Sequence, residues 1–361
     1  MTVLDLHAHF PMHLGLPDIP SDHPLHKIAL KAVFDLANEA DNYEPINRPR
    51  VTEDYIQSGG ITGVGSVLYD PEDEFLVTQE PHPYAIDHLL QLCTNVEVKA
   101  ADAGIAVAKT TQVLDDCIAN DKPFLFHTVE GGHALSGNPA NVERLAQIKA
   151  CYLTLAHMRY MGLASCAKAL PCKTDFWNKI LDPEEPNCGL MPLGFDVLDA
   201  IFATNIALDI THCSDLSHAD IQSYYKSHNI TKPVISSHCG VRGVANTTLN
   251  LSDETVEFIG STGGVVGVIL WTYSLGADTS TQGGFEKYCQ TIEYIRNKAG
   301  DDAVSIGTDL DGFVQPIADC RNYSNIGNFA AMLKQRYDGQ PEFLEKLLWR
   351  NARRVLADAL G

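Results

Sequence analysis

The sequence predicts an α/β fold, a (β/α)8 TIM barrel with insertions after strand 1 and strand 4. Three observations carry this. Eight β-prone runs recur along the chain, most followed by a helical pattern, and regular β/α alternation implies a parallel sheet covered by helices. A length of 361 residues accommodates eight such units with insertions. No G-x-G-x-x-G follows the first run, so the dinucleotide fingerprint that a doubly wound open sheet would carry is absent. The whole chain, 1–361, is expected to form one domain.

The elements follow in order. Thr2, Val3 and Leu4 begin the first strand, which leads into Asp5-Leu6-His7-Ala8-His9. Residues 10–50, rich in Pro, His, Asp and Asn, read as an excursion with one helical piece over 24–39. His13, His23 and His26 in this stretch read as exposed or capping side chains. Strand 2 is 60–69, and helices are expected over 83–93 and 101–119. Residues 123–130 form an apolar strand ending in Glu130 and two glycines. A helix over 139–149 and strand 4 over 152–157 come next. The connection 158–191 holds Pro171, Pro183 and Pro186, and a connection of that length usually walls or covers a site. The remaining strands are 205–212, 233–238, 264–270 and 303–309. Helices are expected over 192–203, 217–227, 252–259, 285–299, 329–336 and 343–359, with serine caps at the second and third.

Composition excludes several classes. With 46 acidic against 26 basic residues, the net charge of −20 opposes nucleic acid or an anionic membrane as partner. No apolar run reaches the roughly 18 residues of a membrane span. Asp5, His7 and His9 interrupt the first ten residues where a secretion signal needs an apolar core. The ten cysteines include no C-x-x-C pair, and reduced thiols in a cytoplasmic protein are expected.

The chemistry collects at strand ends. His7 and His9, Glu130, His212, His238 and Asp309 close five strands, and His157 closes another. Singly, each reads as a polar group at a strand end; together they exceed chance placement. Catalytic residues of a barrel come from the C-terminal ends of several strands. Leu208, Ile210 and His212 are expected on one face, as are Val234, Ser236 and His238, so Cys213 and Cys239 point elsewhere. Imidazoles with carboxylates suit Zn²⁺, with Mn²⁺, Fe²⁺ or Co²⁺ as other candidates. Two ions about 3.5–4 Å apart, bridged by a carboxylate and a hydroxide, make a nucleophile at neutral pH.

The stretches DLHAH (5–9), VEGGHAL (129–135), YLTLAH (152–157), GLMPLG (189–194), ALDITHCS (207–214), PVISSHCGVR (233–242), SIGTDLDGF (305–313) and RNARRVL (350–356) resemble the membrane dipeptidase (renal dipeptidase, peptidase M19) family of amidohydrolase-type barrels. The resemblance implies two zinc ions. His7 and His9 would bind one with Asp309, His212 and His238 the other, and Glu130 would bridge them. It implies that His157 contacts the substrate carbonyl and that Asp309 moves a proton from the attacking water to the leaving amine. It also implies a small dipeptide-like substrate and a homodimer.

The chain departs from the family pattern twice. His9 stands where the family usually has Asp, which removes one negative charge and makes the metal pair more electrophilic. Leu249 falls where the family has the Arg that pairs with the substrate carboxylate. Arg242 and Arg159 are the candidates to replace it, since they lie near site-bearing strand ends. The leading expectation is a dinuclear metallohydrolase cleaving dipeptides or dipeptide-like amides. The alternatives are hydrolysis of another small amide, lactam or lactone with an apolar or blocked end, and a non-catalytic homologue.

Overall fold

Runs such as Phe124–Glu130 and Val234–Cys239 are buried along their whole length. That is the pattern of parallel strands held between a helical layer and a packed interior. The computed structural model describes residues 1–14, 49–75, 83–167, 188–277 and 283–361. Its strands are β1 Leu4–Ala8, β2 Gly63–Leu68, β3 Ala106–Val107, β4 Phe124–Glu130, β5 Tyr152–Thr154, β6 Ala207–Asp209, β7 Val234–Cys239, β8 Val266–Val268 and β9 Val304–Ile306. All pairings between them are parallel, in the order β2-β1-β9-β8-β7-β6-β5-β4-β3. A further β2–β4 pairing closes eight of the nine into a ring and leaves out β3. The expected (β/α)8 barrel is therefore present.

The extra strand corrects one expectation. Residues 101–119 are not one helix. A long helix, Ala85–Asp102, ends before Gly104 at φ +69°, β3 pairs with the first half of β4, and a new helix, Thr111–Ala119, starts under a Thr110 cap. The helix expected over 217–227 begins earlier, at Asp215, because Ser214 rather than Ser217 accepts the capping bond from the Ser217 N–H. The helix expected over 343–359 is interrupted by a π-turn, Lys346–Arg350, before Asn351–Leu360. The helical piece expected over 24–39 lies outside the described residues, as does most of the connection after β5.

Two apolar clusters fix the layers. Leu4, Leu6, Phe124, Phe126, Tyr152 and Ile235 pack together with Val355, Leu356 and Leu360 of the last helix. A larger cluster joins the outward side chains to the surrounding helices; Leu208, Ile210, Val234 and Ala8 belong there. Among the described residues no helix is long and apolar enough to cross a membrane.

Candidate metal centre

The strand order brings His7, His9, Glu130, His157, His212, His238 and Asp309 to one place at the C-terminal ends of the barrel. Glu130 is its hub. Its Oε2 lies 3.2 Å from His9 Nε2, while Oε1 lies 3.5 Å from His7 Nε2, 3.4 Å from His212 Nε2 and 3.5 Å from His238 Nε2. Asp309 Oδ1 faces the first pair, 3.8 Å from His7 Nε2 and 3.4 Å from His9 Nε2. His212 Nε2 and His238 Nε2 are 3.0 Å apart.

The alternation argued from sequence does not explain these positions. Leu208 and Ile210 face the helices, and so does Val234, which would send His212 and His238 outward. Backbone irregularities turn them in. The β7–β8 register slips between Ser236 and Cys239, and the β1–β2 register slips between Asp5 and Ala8. Each slip is an extra residue on the ligand-bearing strand, a bulge that re-aims the side chain. Leu4 and Leu6 point into the barrel with Phe126 and Tyr152, so an unbroken β1 would have placed Ala8, not His7 and His9, inside. His212 and Asp309 are instead turned by left-handed backbone, at φ +65° and +57°. Such conformations are rare for residues other than glycine and gather at functional sites.

A second layer orients the imidazoles. Tyr152 donates its hydroxyl hydrogen to Leu6 O at 2.9 Å and lies 2.8 Å from His7 Nδ1, so the phenol oxygen accepts from that nitrogen. Ser237 Oγ donates to Asp209 Oδ2 at 2.6 Å and sits 2.9 Å from His238 Nδ1. Both rings therefore present a bare Nε2 to the centre, the arrangement expected of metal-binding histidines. Asp209 also accepts from Thr154, Thr211 and the Ser237 N–H. Asp5 plays the matching part on β1, accepting from Thr308, Tyr323 and the His7 N–H. Burial pushes the Asp5 carboxyl up against those bonds.

The residues fit a pair of divalent cations. His7 Nε2 and both Glu130 oxygens are buried and have no hydrogen-bond partner among the described residues. Ligand atoms about 2.1 Å from a tetrahedral zinc lie about 3.4 Å apart, near the spacings found here. The candidate ligand groups His7/His9/Glu130, Glu130/His212/His238 and His7/His238/Asp309 share members, as a two-ion site requires. The cavity also favours positive charge. Burial would lower the His9 pKa, yet the adjacent Asp309 and Glu130 carboxylates raise it to about 10. Burial likewise works against an ionised Glu130, but His157 and His7 hold its carboxyl well below the usual range.

His157 stands at the rim, with Nε2 3.7 Å from Glu130 Oε1. Its Nδ1 is 2.6 Å from Glu74, a residue the sequence reading missed. The two candidate arginines are placed differently. Arg242 is held in a two-pronged pair with Asp215, each bond 2.8 Å, and also binds the carbonyls of Thr247 and Thr248. Arg159 follows His157 closely and donates from its backbone N–H and guanidinium to Glu74. Tyr69, Met12, Val67 and Phe313 form a small apolar cluster beside the centre, with the Tyr69 ring edge-on to His9 and His157.

Comparison with known proteins identifies the family and the fold. The family model for membrane dipeptidase (peptidase family M19) matches residues 66–360. An uncharacterized protein encoded beside pqqA in Klebsiella pneumoniae is 29% identical over 175 residues, covering 46% of this chain and 60% of its own length. An uncharacterized dipeptidase of Schizosaccharomyces pombe is 25% identical over 252 residues, covering 68% of this chain and 56% of its own length. This chain thus spans a little over half the length of those relatives. A crystal structure of a family M19 metallopeptidase, dipeptidase AC, superposes with a TM-score of 0.75 at 16% identity, over 100% of this chain and 99% of that one. A Rhodobacter sphaeroides metallopeptidase, solved with a phosphinate mimic of L-Ala-D-Ala, gives 0.74 at 16% identity, over 99% and 98% of the two chains. With the family model spanning most of the sequence and the fold shared end to end, the chain belongs to the membrane dipeptidase family, peptidase family M19.

Proposed function

We propose that the protein hydrolyses the amide bond of dipeptides or dipeptide-like molecules at a two-metal centre, with Zn²⁺ the best-suited ion. The observation that carries this is the convergence of buried imidazoles on the two oxygens of Glu130, with no hydrogen bonds to satisfy them. His7, His9 and Asp309 would hold one ion, His212 and His238 the second, and Glu130 both. When bound, the ions supply Lewis-acid polarisation of the carbonyl and a water acidified to near neutrality.

The chain's own groups do the rest. Asp309 would take a proton from the attacking water and deliver it to the leaving amine. His157, whose Nε2 faces Glu130, would donate to the carbonyl oxygen as it gains charge. Arg159 and Arg242 are the proposed partners of a substrate carboxylate, Arg159 two residues after His157 and Arg242 four residues after His238. Leu249 and the apolar cluster around Tyr69 also favour a second reading, a substrate with an apolar or blocked end such as an N-acyl amino acid, lactam or lactone. The net charge of −20 supports a small-molecule partner over nucleic acid or membrane.

The experiment is hydrolysis of L-Xaa-L-Xaa and L-Xaa-D-Xaa panels by zinc-loaded protein, alongside N-acyl amino acids and lactones. Turnover of dipeptides supports the reading. Turnover of only blocked substrates moves it to the second, and no turnover of any with metal bound sinks both.

A further inference from the structure

Behind His157 lies a carboxylate that neither the metal centre nor the proposed chemistry accounts for. Glu74 sits in the short helix Pro71–Phe75, far from His157 in sequence, and is wholly buried. Its Oε2 accepts from Tyr69 OH at 2.6 Å and from His157 Nδ1 at 2.6 Å. Its Oε1 accepts from the Arg159 N–H at 2.8 Å, and the Arg159 guanidinium donates to the Glu74 carbonyl at 3.0 Å. The carboxylate is thus fixed by three donors, and one of them belongs to the residue at the rim of the centre. A buried charge with this many partners is either a structural clamp or an orienting group.

We propose that Glu74 is a positioning residue for the proposed hydrolysis, acting through His157. An imidazole can turn about its ring axis and can carry its hydrogen on either nitrogen. The Glu74 carboxylate accepts only, so it demands a hydrogen on Nδ1 and holds the ring with Nε2 aimed at Glu130. This is the logic by which a buried carboxylate sets the tautomer and orientation of a catalytic histidine. Tyr69 has a double part: its hydroxyl fixes Glu74, while its ring packs edge-on to His157 with centroids 4.7 Å apart. Both contacts restrict the same ring.

A glutamine at this position has one acceptor where the carboxylate has two. If its oxygen faces His157 and Tyr69, its amide hydrogens meet the Arg159 N–H. If it turns over, those hydrogens meet Nδ1 and favour the opposite tautomer. Glu74→Gln therefore loosens the ring without changing its bulk.

The kinetic arm rests on the dipeptidase reading; a spectroscopic arm does not. In histidine-labelled protein, the ¹⁵N signals of His157, assigned by their loss in His157→Ala, should show a protonated Nδ1 in the parent and a mixture of tautomers in Glu74→Gln. With a cleaved substrate, Glu74→Gln should lower kcat about 10–100-fold, leave KM within about twofold and keep metal content. In the His157→Ala background the same substitution should cost less than about threefold, because the residue it acts through is gone. An unprotonated Nδ1 in the parent, or an equal loss of kcat in both backgrounds, overturns the proposal. If the parent cleaves nothing, the substrate reading has failed and the ¹⁵N spectra decide on Glu74 alone. If Glu74→Gln does not fold, the parent spectrum decides.

Discussion

At the scale of residues, the candidate site depends on side chains outside the proposed ligand set. Tyr152→Phe removes the nearer partner of His7 Nδ1, leaving Ser237 Oγ at 3.2 Å, and removes a donor to Leu6 O. It should weaken metal affinity about 10–100-fold and cost about 1 kcal/mol of stability, read by metal titration and denaturant unfolding. His9→Asp restores the family's residue at that position. It should keep both ions while changing kcat, whereas His9→Ala should lower metal content; unchanged metal in His9→Ala would remove His9 from the ligand set. The residues that converge on Glu130 were legible in the sequence because a histidine or carboxylate at the end of an apolar run is conspicuous. Asp5, Asp209 and Glu74 were not read, since their partners are distant in sequence. Asp5 and Asp209 did leave a trace: each interrupts an apolar strand, and a buried carboxylate there must have partners.

At the scale of elements, the irregular backbone matters more than the regular strands. Period-two alternation expected His212, after β6, and His238, on β7, to share a face for the wrong reason; left-handed backbone at His212 and a bulge before Cys239 are what turn them toward Glu130. Periodicity cannot foresee an inserted residue. The bulge on β1 also needs a close approach by β2, where a Cβ on Gly65 would lie 2.0 Å from Leu6 O. Gly65→Ala should therefore cost about 1–3 kcal/mol and reduce metal content together with stability; metal loss without destabilisation would contradict this. On the outer face, Glu97 ties the helix Ala85–Asp102 to β4 through His127 Nε2 at 3.1 Å and to Lys109 at 2.7 Å. Those partners, His127 first, lower the Glu97 carboxyl to about 2 against partial burial. A depressed carboxylate adds stability above its unfolded pKa and loses it as pH falls toward the folded value. Glu97→Gln should be less stable by about 1 kcal/mol at pH 7, discounted for solvent exposure, with the gap closing between pH 4.5 and 2 in acid-unfolding curves.

At the scale of the whole molecule, the barrel is what assembles ligands from β1, β4, β7 and the segments following β6 and β9. Its ring was readable as eight apolar runs with helices between, while the two-residue β3 and the split at Gly104 were too short to leave a pattern. Because the centre is buried and rich in unpaired acceptors, removing metal should destabilise the entire fold. Chelation should lower the melting temperature, since a ligand at a hundredfold its Kd stabilises the native state by about 2.7 kcal/mol. A melting temperature indifferent to chelator and to added zinc would mean that the cluster is not a metal site.

The most direct test is anomalous diffraction at the zinc edge from crystals of the zinc-loaded protein. Two peaks are expected, both beside Glu130, one within bonding distance of His7, His9 and Asp309 and the other within bonding distance of His212 and His238. A single peak away from Glu130, or none in protein shown to hold zinc in solution, would contradict the two-metal centre.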